Sequence, residues 1–254
     1  AGSAISLYSD VLPLSATKSL ACVSLQKKRR VLFVDLDPQG NGTTGAGFDK
    51  GELSASVYEL LIGTKFFDEV VQHAESGFDV LPSNRELAGA EVELVGMKDR
   101  DARLRVVLDA VRDRYDYVLI DCPPSLSMMT MNALCAADGV VIPMQCEYFA
   151  LEGLTDLVGS VRRVHAEKNK SLRIITLLRV MFDPRITLQQ QVSEQLIKHF
   201  GDKVFETIIP RNVRLAEAPS YGKPGVVYDR SSKGAKAYLA CADELIARME
   251  GKRA

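Results

Sequence analysis

From residue 30 onward, short apolar runs alternate with amphipathic stretches. Residues 30–37, RVLFVDLD, form a β-rich run that stops at the turn formers Pro38, Gln39 and Gly40. Residues 78–83 (FDVLPS) and 115–124 (YDYVLIDCPP) repeat the pattern, the latter closed by two prolines. GVVIPMQ at 139–145, LRIITLLRVMF at 172–182 and KVFETIIP at 203–210 predict further strands. Between them the period changes. In 150–165, Leu151, Leu154, Leu157, Val158, Val161 and Val164 recur at three- and four-residue steps, which predicts a helix with one buried stripe. Segments 85–96, 99–114, 187–199 and 232–249 read the same way.

Strands that are apolar almost throughout, separated by helices, imply a mainly parallel sheet covered on both faces. Right-handed crossovers then give a doubly wound α/β three-layer sandwich, with ligands expected beyond the carboxyl ends of the strands. No repeat, low-complexity tract or linker divides the chain.

Composition narrows the function classes. The 254 residues are 46% hydrophobic and 26% charged, enough for a sizeable core. A net charge of −1 excludes a uniformly basic nucleic-acid binder, so any such surface is a local patch. Five scattered cysteines without a CxxC pair read as reduced thiols, and three distant histidines match no metal-ligand spacing. No apolar run reaches membrane-spanning length, and the first sixteen residues make a poor signal peptide.

Candidate chemistry lies at strand ends. Asp35 and Asp37 close one run, and Asp121 closes another after Val118-Leu119-Ile120, the form of a Walker B strand whose carboxylate holds a water of bound Mg²⁺. A single strand-end aspartate is commonly only a cap or turn residue, but two such strand ends favour a metal-phosphate site. Three further segments put polar groups beside strand ends: DPQGNGTT (37–44), PMQCEYFALEG (143–153) and IPRNVRLAEAPSYGKP (209–224).

VDLDPQGN, YDYVLIDCPPSL, NALCAADGVVIPMQCEYFALEGL and IPRNVRLAEAPSYGKPGVVYD, in that order and spacing, closely resemble the ParA- or Soj-type partition ATPases of bacteria. The resemblance covers residues 19 to 249, which predicts a nucleotide-binding domain over 19–254 preceded by an atypical segment at 1–18. It implies a P-loop NTPase fold, Mg²⁺ and ATP as cofactors, and an ATP-dependent homodimer. It further implies binding to DNA without sequence preference, a centromere-binding ParB-like partner that stimulates hydrolysis, and a cytoplasmic, nucleoid-associated location. The related MinD-type proteins end in a membrane-binding helix, whereas ADELIARMEGKRA is short and charged, so no membrane partner is expected.

Residue by residue, the resemblance implies that Asp37 positions the attacking water and that Asp121 is the Walker B aspartate. Asp35 would lie near the metal, Gln39 and Asn41 near the nucleotide, and Pro210, Arg211 and Asn212 beside the adenine. Arg185 and Arg214 match DNA-contacting arginines, with Lys233 a basic neighbour. Between Lys203 and Lys236 there are seven basic residues against three acidic ones, a modest patch that would give salt-sensitive phosphate contacts.

The departure from the family lies upstream. Its phosphate-binding loop, KGGVGKTT, should occupy residues 8 to 15, where this chain has YSDVLPLS, and no glycine occurs between Ser3 and Pro38. Without those glycines, backbone N–H groups cannot close on phosphates. Lys18-Ser19 offers a weak substitute, obstructed by Thr17 and Pro13. The strand that should precede the loop is not recognisable, so the sheet is expected to lose a central strand and ATP binding to be impaired. An ordered strand over residues 4 to 8 would count against that loss. Likeness resumes abruptly near Ser19, which predicts a single upstream event such as a frameshift, altered start or fusion. The alternative is a degenerate, non-catalytic module that binds DNA or a partner.

Overall fold

The computed structural model describes residues 3–8, 29–123, 125–148 and 150–251. In order they form β1 (Ser3–Tyr8), β2 (Val31–Asp35), α1 (Asn41–Gly45), α2 (Val57–Ile62), α3 (Phe67–Val70), β3 (Gln72–His73) and β4 (Asp79–Leu81). Next come α4 (Leu87–Val95), α5 (Arg103–Val111), β5 (Tyr117–Cys122), α6 (Met128–Ala136), β6 (Gly139–Gln145), α7 (Ala150–Glu167) and β7 (Arg173–Val180). The chain ends in α8 (Thr187–Phe200), α9 (Val213–Glu217), α10 (Gly225–Tyr228) and α11 (Lys233–Glu250). One seven-stranded sheet runs β3-β4-β2-β5-β1-β6-β7, parallel except for the edge strand β3.

The helices cover both faces. Phe33, Phe78, Leu119 and Leu178 pack under α11 through Tyr238 and Leu245. Leu32, Val34, Leu81 and Ile120 pack under α2, α4 and α5. Phe33 meets Phe78 edge-on, with ring centroids 6.4 Å apart. A third apolar cluster joins β6 and β7 to α7 and α8. Burying each large aliphatic or aromatic side chain contributes about 1.5–3 kcal/mol, so the sandwich rests mainly on these two covered faces.

The sheet corrects the expectation that its first strand is lost. β1 is the fifth strand in order and pairs in parallel with β5 from Ser3↔Tyr117 to Tyr8↔Cys122, and with β6 from Ile5↔Gly139 to Leu7↔Val141. Residues 3–8 are therefore integral to the sheet. SAISLY is hard to read as a strand because it carries two serines, yet a strand hemmed in on both sides favours small side chains. Ser3 and Ser6 are buried, and Ser6 Oγ lies 3.3 Å from Cys122 Sγ. Asp138 completes the edge: its carboxylate accepts from Ala4 N–H at 2.8 Å, and its own N–H donates to Ala4 O.

A second correction concerns 203–210, which forms no named strand. Only isolated bridges, Leu177↔Val204 and Phe182↔Pro210, align it with β7. Phe205 and Ile209 N–H groups donate to the carbonyls of Leu177 and Arg179, and side chains take the groups between them. Arg179 donates to the carbonyls of Phe205 and Glu206, and the Glu244 carboxylate accepts from the N–H groups of Glu206 and Thr207 at 3.0 Å each.

Candidate functional site

β1, β5 and β2 end side by side, with Leu7 paired to Asp121 and Asp121 to Asp35. The two strand-end carboxylates thus occupy neighbouring positions at the carboxyl edge, where a parallel sheet presents its ligand crevice. Their surroundings differ. Asp35 is fully buried. Its Oδ1 accepts from Asp37 N–H at 3.1 Å, and its Oδ2 accepts from Thr43 N–H at 2.7 Å and Thr43 Oγ1–H at 2.8 Å. Burial pushes its pKa up from 3.8 to about 6, against the opposing pull of the donors on Thr43 and Asp37.

That carboxylate organises the loop. Thr43 Oγ1 accepts from Ser83 N–H at 2.8 Å, and Ser83 Oγ donates to Asp37 O at 2.8 Å. The end of β2, the start of α1 and the turn after β4 are tied together by three side chains. The glycines of DPQGNGTT fit because the packing leaves no alternative. A Cβ on Gly42 would lie 2.7 Å from Asp35 Oδ2 and from the Phe33 ring, and Gly40 has φ +60° with Ser83 O 2.7 Å from the same position.

Asp37 sits two residues past the strand, half-buried. Its Oδ1 accepts from Gln39 N–H at 2.9 Å, and no donor reaches its Oδ2 among the described residues. Gln39 is exposed, with its carbonyl accepting from Lys50 Nζ at 2.6 Å. Asn41 opens α1, partly buried. Asp121 is partly buried, and its carbonyl accepts from Leu36 N–H at 2.9 Å. Lys18 and all of the expected loop at residues 8–15 except Tyr8 lie outside the described residues.

The 209–224 segment reaches the same edge. Pro210 bridges Phe182 just beyond β7, and Arg211 N–H donates to Phe182 O at 3.3 Å. Asn212 caps α9, its side chain accepting from Leu215 N–H at 3.3 Å. The chain then turns at Gly222, close enough that a Cβ on Gly47 would sit 3.8 Å from Gly222 O. The 37–47 loop and the 210–222 segment therefore flank one another.

Lys233 and Arg214 join this second segment, while Arg185 stands on the loop after β7. Lys233 begins α11, exposed, and α11 seats against α9 at Gly234, where a Cβ would stand 2.4 Å from Leu215 Cδ1. Arg214 pairs with Glu217 at 3.0 Å and Asp229 at 3.6 Å. Arg185, 87% exposed, holds Asp183 through Nε at 2.9 Å and Nη2 at 2.6 Å, and the guanidinium keeps Asp183 down at about 2. Both arginines are thus engaged by carboxylates.

Sequence reasoning did not single out Ser83 or the stack of Tyr221 on Tyr228, centroids 4.9 Å apart. Ser83 follows an apolar run as the aspartates do, which was the available signal; the tyrosines had none.

The family model described as an AAA domain matches residues 15–174. The sporulation initiation inhibitor protein Soj of Bacillus subtilis is 49% identical over 228 residues, covering 89% of this chain and 90% of Soj. The chromosome partitioning protein ParA of Caulobacter vibrioides is 46% identical, covering 89% and 85% of the two chains. The crystal structure of cobyrinic acid a,c-diamide synthase from Mycobacterium smegmatis with bound ATP analog and magnesium is similar with TM-score 0.87 and 32% identity, covering 98% of this chain and 96% of that one. Aspartate-bearing strand ends in a parallel sandwich, together with this breadth of identity, show that the chain belongs to the ParA/Soj family of partition ATPases.

Proposed function

We propose that this chain acts as a partition protein that takes Mg-ATP at the carboxyl edge of β1, β5 and β2, with hydrolysis weakened by its substituted phosphate loop. The observation that carries this reading is the pairing of Asp121 with Asp35 beside β1. Asp121 would hold the metal through water, and the open Oδ2 of Asp37 is available to orient an attacking water. Asp35 acts through others: engaged by Thr43 and Asp37, it fixes the loop on which Asp37, Gln39 and Asn41 ride.

These residues fit a hydrated divalent cation, because partly buried carboxylates at a strand edge suit its oxygen preference. The bound magnesium would neutralise phosphate charge. The residues at 8–15 fit less well, since none is a glycine or lysine. Pro210, Arg211 and Asn212 would flank the adenine. Arg185, Arg214 and Lys233 would meet DNA phosphates in a nucleotide-linked homodimer, a centromere-binding protein would stimulate release, and the setting would be the bacterial cytoplasm at the nucleoid. No helix among the described residues is long and apolar enough to cross a membrane.

Calorimetric titration with Mg-ATP, using Asp37→Ala and Lys18→Ala as companions, tests the proposal. Micromolar binding that Lys18→Ala abolishes supports a working, unconventional cradle. Absence of binding at millimolar ATP overturns the ATPase reading and leaves the second one, a nucleotide-free module, which the missing loop glycines favour.

A further inference from the structure

At the amino end of β7, on the opposite edge of the sheet from the aspartates, lies a half-open cavity of about 480 Å³. It is formed between α7, β7 and α8 and the turn that follows α8. Its apolar wall comes from Val158, Val161, Leu172, Ile174 and Phe200. Among the described residues, the ionisable side chains on its rim are all basic: Arg162, His165, Arg173, His199 and Lys203. Among the described residues, no acidic side chain lines it.

A plain alternative is that cations gather here because two helices end here and their carbonyl ends favour positive charge. That account suits the histidines. His165 Nδ1 lies 2.8 Å from Leu172 O, and His199 Nδ1 lies 2.8 Å from Gln195 O. It does not suit Arg162, Arg173 and Lys203. None of the three has an ion pair or side-chain hydrogen bond among the described residues, whereas most other arginines of this chain are paired to carboxylates or carbonyls. Three like charges facing one cavity repel each other. A chain with net charge −1 had acidic residues available to offset them.

We propose that this cavity is a binding site for a nucleoside diphosphate or a similar polyphosphorylated ring compound, separate from the site at the carboxyl edge. Arg162, Arg173 and Lys203 take the phosphates, and Phe200 with the valines takes the face of the ring. Three fixed positive charges call for at least two negative ones on the ligand. The volume lies in the range of small-molecule sites and far exceeds what a lone phosphate fills. The apolar wall would stay wet against a bare inorganic anion. β7 has eight residues, so its length puts this cavity roughly 25 Å from the Arg185 loop at its other end. The proposal does not depend on how the carboxyl-edge site works.

The test is a titration of the full chain with fluorescent N-methylanthraniloyl-GDP in EDTA, which removes the divalent cation needed at the other edge. Unlabelled GDP and inorganic pyrophosphate serve as competitors. Saturable binding that Arg162→Gln/Arg173→Gln/Lys203→Gln weakens at least tenfold supports the proposal. All three side chains are exposed, so the fold should persist; if the triple variant does not fold, Arg173→Gln and Lys203→Gln alone should each weaken binding about threefold. Absence of binding at millimolar probe, or equal binding by the triple variant, overturns it. Pyrophosphate competing as well as GDP overturns the role of the apolar wall. A triple variant that loses duplex DNA binding and salt sensitivity while binding the probe normally assigns the cations to a nucleic-acid surface instead.

Discussion

Asn169 sits in the turn between α7 and β7, 6% exposed, and its amide closes the end of a different helix. Nδ2 lies 2.9 Å from Leu134 O, 3.0 Å from Cys135 O and 2.7 Å from Ala137 O. These carbonyls belong to the last turn of α6 and the residue just past it, where no helical N–H is available. Oδ1 accepts from Ser171 N–H at 3.2 Å and Ser171 Oγ–H at 2.7 Å. Asn169→Ala leaves three buried carbonyls short of a donor. At about 1–3 kcal/mol for each orphaned group, moderated by the two protons they shared, the loss should be about 3–5 kcal/mol. Asn169→Asp is the sharper test, because shape is kept while the donor becomes a carboxylate facing three carbonyls. Urea unfolding followed by circular dichroism should show the aspartate variant at neutral pH at least as unstable as the alanine variant. Its stability relative to wild type should recover as pH falls, because the protonated acid regains one donor. This follows from linkage: the buried carboxyl keeps the two Ser171 donors on one oxygen but sets the other against three carbonyls, so its folded pKa lies above its unfolded one, and it destabilises above that pKa and not below both. If Asn169→Asp unfolds at the wild-type urea concentration at pH 7, the side chain only fills space and the reasoning fails.

Arg179→Met removes the donors that hold Phe205 and Glu206 to β7 and should cost about 2 kcal/mol, the loss reduced because the guanidinium is itself buried with Nε unpartnered; hydrogen exchange should quicken in 205–209 while β5 keeps its protection. Gly42→Ala drives a methyl into Asp35 and the Phe33 ring, with an expected loss of at least about 2 kcal/mol in thermal unfolding, and an unchanged melting temperature would sink the packing argument. Arg185→Ala should let the Asp183 carboxyl rise from about 2 toward its ordinary 3.8 in an NMR titration, since the guanidinium is the main cause of its depression. The sign follows: the Asp183 pair contributes stability at neutral pH and loses it as pH falls toward 2, so the variant's stability should converge on wild type in acid.

Much of this fold was legible because the code is one of period. The stripe in 150–165 became α7, and 187–199 and 232–249 became α8 and α11 within a residue or two. Val118-Leu119-Ile120 became the buried middle of β5, with Asp121 at its edge. Where reading failed, local pattern gave way to long-range contact. SAISLY gains its strand from β5 and β6, more than a hundred residues away, and its serines only make sense in that crowded position. KVFETIIP has the composition of a strand and bonds to β7 at Phe205 and Ile209, but between them Arg179 and Glu244 take the backbone groups at 205–207. At the site, the aspartates announced themselves by position. Their division into an internal anchor and an open carboxylate depended on Thr43, eight residues on from Asp35, which no spacing rule connects to it.

The middle position of β1 has a consequence for how the molecule assembles. This segment lies far from its partners in the sequence: among the described residues, the strands it pairs with begin at Tyr117 and Gly139. β2, β4 and β5 can pair as soon as residue 122 is available, but the half-sheet they form ends on an unpaired edge until β1 arrives. Within the sheet, β6 pairs with β1 on one side and β7 on the other. Six residues therefore act as a late keystone between two halves, closing a loop whose ordering entropy is large and whose open edges invite association with other chains. The refolding rate and its dependence on protein concentration are therefore expected to respond to substitutions in Ser3–Tyr8.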